Sequence, residues 1–175
     1  MKERYYNYIS KKHSFDKMTM LAILCLIAII AGSFGFIYEF IFYYFNGGMK
    51  QFYWRGGNFL PWINIYAIGA IFIYFLTYKH RNKPLKVFLI GFISSGIIEY
   101  IAGLGMYIIG SGFRCWDYNT EILNFLNING FICLRSVLFF GLSGLLLIYL
   151  IVPICFSLAG KIDKKMGLEL FMIRI

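Results

Sequence analysis

Charge is scarce in this chain, and acidic charge scarcer still. Only 14% of its 175 residues are charged, and eight of those are Asp or Glu. A soluble domain of this size needs more polar material than that to cover its surface. There are two histidines, His13 and His80, both in basic segments, and no Cys/His cluster has the spacing of a metal site. No Gly-x-x-x-x-Gly-Lys-Ser/Thr phosphate loop occurs in the sequence. No cofactor is implied, and no nucleophile–base pair can be read.

What the chain has instead is long apolar runs. It is 60% hydrophobic, with 19 Phe and 14 Tyr. Four stretches, Met18–Phe45, Phe59–Tyr78, Leu85–Ile109 and Phe131–Ala159, are long enough to cross ~30 Å of hydrocarbon at ~1.5 Å per residue. The first is much longer than the apolar core of a cleaved signal peptide. The expected fold is an all-α integral membrane protein, a four-helix transmembrane domain over 18–159. A basic interfacial segment, 1–17, precedes it and a basic tail, 160–175, follows.

The net charge of +9 is explained by topology and not by a nucleic-acid partner. Thirteen Lys and Arg lie before span one, between spans two and three, and after span four. The two other connections hold only Lys50, Arg55, Arg114 and Arg135. That is the positive-inside pattern, with both termini cytoplasmic and membrane lipids as the natural partner of the basic segments.

Within the spans, small residues lie on stripes that each carry a carboxylate. Ala28, Gly32, Gly35 and Glu39 share one face of span one; Gly91, Ser95, Glu99 and Gly103 share one face of span three. Glu99 lies ~21 Å from Leu85, past the midplane, where a charge is expensive unless protonated, paired or wet. The connection Asn46–Leu60 is glycine-rich, holds Trp54 and Arg55, and runs into Pro61-Trp62, which suggests backbone re-entering the membrane. The stretch from Arg114 through Trp116-Asp117-Tyr118 to Asn127-Ile128-Asn129-Gly130 and Arg135 packs polar groups between two spans. Within it, Glu121–Ile128 is expected to form a short interfacial helix. Arg135, just inside span four, either reaches back to the surface or turns inward to a carboxylate. Pro153 is expected to kink the cytoplasmic end of span four. Gly141 and Gly144 mark the packing face of that span. Cys25 and Cys155 read as packing residues, whereas Cys115 and Cys133 fall on the outer side, where a disulfide is chemically allowed.

Three motifs carry a family resemblance. Gly35-Phe36-x-x-Glu39 is similar to a Gly-Trp-x-x-Glu pattern. Arg55-Gly56, Pro61, Tyr66 and Gly69-Ala70 keep the same spacing as a second, and Glu99-Tyr100, Trp116-Asp117-Tyr118 and Asn127-Ile128-Asn129-Gly130-x-Ile132-Cys133-Leu134 match a third closely. On these residues the chain resembles the putative ABC-transporter type IV family, CmpB-like bacterial membrane proteins, over most of 30–152. Phe131 stands where that family has an arginine, and Arg135 lies one turn on. The resemblance implies a permease subunit in a bacterial cytoplasmic membrane that works with a separate ATPase, and four spans are few for a complete path, which implies a homo-oligomer or a partner membrane subunit.

Three functions compete. In a permease subunit, Glu39, Arg55, Glu99, Arg114, Asp117, Asn129 and Arg135 would bind a polar solute or ion. Trp116, Tyr118, Tyr66, Gly56 and Pro61 would support them. In a membrane enzyme acting on a lipid headgroup or lipid-linked substrate, the arginines would hold phosphate and Asp117 or Glu99 would act as base. In a non-catalytic partner subunit, the polar groups would only specify helix packing.

Overall fold

The computed structural model describes residues 8, 15–45, 59–114 and 116–160, with 59–64 described as backbone only. These residues form α1 (Lys17–Phe45), α2 (Phe59–Thr77), a 3-10 turn (Tyr78–His80), α3 (Pro84–Ile109) and α4 (Leu134–Leu146). A π-helical turn, Leu147–Ile151, continues α4, and the helix runs on to Gly160. Among the described residues there is no strand, only an isolated bridge between Ile128 and Ile132. Three helices, Lys17–Phe45, Pro84–Ile109 and Leu134–Gly160, are long and apolar enough to cross a membrane. The molecule is an all-helical, multi-pass membrane protein.

The chain divides into two compact units, Met1–Phe72 with Leu147–Ile175, and Ile73–Leu146. In the first unit, Asp16 starts α1 by accepting the Met18 and Thr19 amides at 2.9 and 3.1 Å. That cap satisfies donors that the first helical turn leaves open. Further along α1, Gly35 leaves room for the ring of Tyr66, which a Cβ would strike. Tyr43 is buried nearby with Phe36, Phe42 and Tyr66 around it. The π turn precedes Pro153, whose ring and missing N–H disrupt the ladder one turn back, at Tyr149. The expected kink is therefore a widened turn just before the proline. Tyr8 donates its hydroxyl to the Ile148 carbonyl there at 2.7 Å.

In the second unit α3 and α4 run antiparallel on glycines. A Cβ on Gly91 would come within 3.4 Å of the Phe140 carbonyl oxygen and 3.5 Å of the Gly141 Cα. Gly144 faces Val87 and Gly91 in the same way, and Phe131 closes over Gly103. The close approach lets many small dispersion contacts form where lipid offers no hydrophobic drive. This register places Leu134 level with Ile98. The eleven residues from Glu99 to Ile109 extend ~16 Å past the start of α4. The irregular stretch 110–133 fills that space beside α3.

Two expectations are corrected here. Span four, expected from Phe131, begins at Leu134. Glu121–Ile128 is a series of turns and not a helix. Leu123 and Leu126 adopt φ of 56° and 51°, and Asn124 spends its side-chain amide on the Tyr118 carbonyl at 3.0 Å. Such local bonds compete with the helical ladder. The glycine-rich first connection, with Arg55 and Gly56, lies outside the described residues, as does Cys115. Pro61 is described only as backbone in the first turn of α2. Cys133 is a buried free thiol.

Candidate functional site

Glu99 projects from α3 into a cluster built by the stretch that follows. Its Oε1 accepts the Tyr118 hydroxyl at 2.7 Å and its Oε2 accepts the Ser136 hydroxyl at 2.8 Å. Tyr118 reaches in from the irregular stretch and Ser136 from the first turn of α4, so three separate segments converge on one carboxyl group. Ser136 Oγ also lies 2.9 Å from the Cys133 carbonyl and receives the Cys133 amide at 3.3 Å. The hydroxyl has one proton and two acceptors in reach.

Tyr118 is held by more than Glu99. Its amide donates to the Gly130 carbonyl at 3.0 Å, and Arg135 lies over its ring at 5.6 Å. Burial, and next the charge of Glu99, push its phenol well above the ordinary value of 10.0. Tyr118 therefore remains a hydrogen-bond donor throughout the physiological range. Beside it Arg135 pairs with Glu121 at 2.5 Å, both side chains largely buried. Arg135 has thus turned inward, and its carboxylate is Glu121.

A second layer shapes the stretch. Arg114 donates to the Asn129 carbonyl at 2.7 Å and lies over Tyr107 and Phe131 at 4.9 and 4.5 Å. It sits 3.8 Å from Asp117. Asp117 accepts the amide of Asn119 at 3.0 Å and its side chain at 2.7 Å. Asn127 links Asn119 to the amide of Gly130, and Asn129 reaches the Tyr100 hydroxyl at 3.3 Å. The indole of Trp116 donates to the Phe131 carbonyl at 2.9 Å. Gly130 has φ of 76°, and a Cβ there would collide with Asn119, Asp117 and Arg114. The glycine is needed twice, for its backbone angle and for its missing side chain.

Of the residues expected from sequence, Glu99, Trp116 and Tyr118 carry or border the inner cluster. Arg114, Asp117 and Asn129 belong to the loop network around it, and Arg135 joins the Glu121 pair. Asp117 does not face Glu99. Glu39 and Tyr66 form a separate carboxyl–phenol pair in the other unit, where the Tyr66 hydroxyl donates to Glu39. Ser136 and Glu121 were not anticipated. Ser136 stands one residue after Arg135, and Glu121 hid inside the expected amphipathic turn.

Residues 26–175 match the family model described as Putative ABC-transporter type IV. No curated protein and no solved structure matches the chain.

Proposed function

The chain belongs to the Putative ABC-transporter type IV family, and from that membership we propose a permease-type subunit with a polar solute- or ion-binding site in the outer half of its helices. The observation that carries the reading is the doubly hydrogen-bonded Glu99 inside a membrane-spanning helix. An ionisable group at that depth is costly and marks a pathway or a site more often than a packing device. Glu99 is the group that meets a cation or proton. Tyr118 and Ser136 orient it, while Glu121 and Arg135 hold the start of α4 against the stretch that carries Tyr118. Arg114, Asp117 and Asn129 shape the outer rim. Glu39, with Tyr66, is a second carboxyl of the same chemistry.

In this reading the chain crosses a bacterial cytoplasmic membrane four times, α2 included, with both termini inside. It acts with further copies or with a separate membrane or ATPase subunit. The test is thermal stability in detergent from pH 5 to 8, against small ions, polar solutes and phosphorylated lipids, for wild type and Glu99→Gln. A ligand at a hundred times its Kd stabilises by ~2.7 kcal/mol. Stabilisation by an ion or solute that vanishes in Glu99→Gln supports the site. No ligand effect in the wild type sinks it, and a response confined to phosphorylated lipids points to the membrane-enzyme reading.

A further inference from the structure

Depth and charge together restrict what the Glu99 carboxyl can hold. α3 has 26 residues, ~39 Å against ~30 Å of hydrocarbon, so at most ~9 Å of it overhangs. Glu99 lies ~15 Å from the Ile109 end of the helix and ~22 Å from Pro84. Even with the whole overhang at the nearer end, it is ~6 Å inside the hydrocarbon. The charged and titratable groups that face it are Tyr118 and Glu121 from the irregular stretch and Arg135 from α4. Arg135 is engaged by Glu121 at 2.5 Å, and Tyr118 stays a neutral donor. Among the described residues of this unit, an ionised Glu99 therefore leaves the group one negative charge in excess, in a place where charge is costly.

The hydroxyl of Ser136 is placed to serve both charge states. Ser136 is the third residue of α4, and its Oγ accepts the Cys133 amide at 3.3 Å, as the third residue of a capping box does. That uses one of its two lone pairs. Its single proton has two acceptors in reach, Glu99 Oε2 at 2.8 Å and the Cys133 carbonyl at 2.9 Å. With Glu99 ionised, the proton points at Oε2. With Glu99 neutral, the acid O–H on Oε2 donates to the second lone pair of Oγ, and the Ser136 proton turns to the Cys133 carbonyl. That carbonyl also takes the Val137 amide at 3.3 Å, so its two lone pairs are then both used. Tyr118 donates to Oε1 in either state. Every donor and acceptor named is satisfied both ways, and only hydrogens move.

We propose that the ligand of the Glu99 site is a proton, with the Ser136 hydroxyl as the switch that lets the carboxyl take it up and release it without moving a heavy atom. This rests on the reading of Glu99 as a binding site and narrows it. One proton from water forms the O–H bond on Oε2, and the Ser136 O–H bond only rotates, so the site goes from one negative charge to none. A metal cation fits the same atoms poorly. Both Glu99 oxygens face hydroxyl protons where a cation needs lone pairs, and a cation would have to turn both donors away. Among the described residues no three His, Cys, Asp or Glu side chains are grouped to hold a metal.

The experiment is infrared spectroscopy of the full chain in phospholipid vesicles, titrated from pH 4 to 10. An acid carbonyl band that grows as the pH falls, and is lost in Glu99→Gln, is expected. Ser136→Ala keeps Glu99 but removes the acceptor of its proton, so the same band moves to higher frequency. That second reading stands even if Glu99→Gln does not fold. Exchanging choline for sodium, potassium or calcium leaves the band where it is. A band that these cations remove would overturn the proposal, as would one indifferent to Ser136→Ala. No band, with a cation shifting the carboxylate stretch of the wild type alone, would overturn the proton and leave the binding site standing. No band and no cation response, or a band constant at every pH, would overturn both, the last because it marks a permanently neutral packing acid.

Discussion

At the scale of single residues, the Glu99 carboxyl is held in place by hydroxyl groups. Tyr118→Phe removes one donor from a buried acceptor and is expected to cost about 1–3 kcal/mol, read as a lower Tm. The same residue sets an alkaline limit. Its folded phenol titrates above the ordinary 10.0, so the unfolded chain loses that proton first. The contribution of this phenol to stability is flat below pH 10 and falls as pH rises beyond it, and Tyr118→Phe abolishes this component. A melt series showing the same alkaline slope in both proteins would refute it. Arg135→Gln leaves Glu121 charged and largely buried, at a cost of about 3 kcal/mol, and adding Glu121→Gln restores part of it. Glu99, Tyr118 and Arg135 were legible because a polar group in an apolar run stands out. Ser136 was not, since a serine in a span is more often a small packing residue.

At the scale of elements, helices were easy to read and their ends were not. The small-residue faces of α1 and α3 announced close packing, and Gly91 against Gly141 shows it. Gly91→Leu drives α3 from α4 and is expected to cost about 1–3 kcal/mol or more, measured by thermal unfolding. Asp16→Ala removes the side-chain cap of α1. Faster hydrogen exchange at Met18 and Thr19, with the middle of α1 unchanged, is the expected result. The expected helix at 121–128 failed for a local reason. Its apolar spacing fits a helix, but Asn124 and Asn127 bond across the turns instead, and periodicity is blind to that competition. The late start of α4 was hidden for a similar cause: Phe131, Ile132 and Cys133 are apolar enough to read as helix.

At the scale of the whole molecule, charge distribution carries the proposed topology. Asn82→Cys, in the basic link before α3, is expected to be labelled by an impermeant maleimide only after the membrane is opened. Thr120→Cys, in a Cys115→Ser background, is expected to be labelled without opening it. Labelling of Asn82→Cys in intact cells would mean that α2 does not cross. The chain also carries a built-in order of events. The bond from Tyr8 to Ile148 joins positions 140 residues apart. At ribosomal rates of ~5–20 residues per second, Tyr8 is made roughly 7–28 s before its acceptor exists. Tyr8 therefore waits for this acceptor while about four fifths of the protein is synthesised, and its docking at the π turn is a late step that only a nearly finished chain can take.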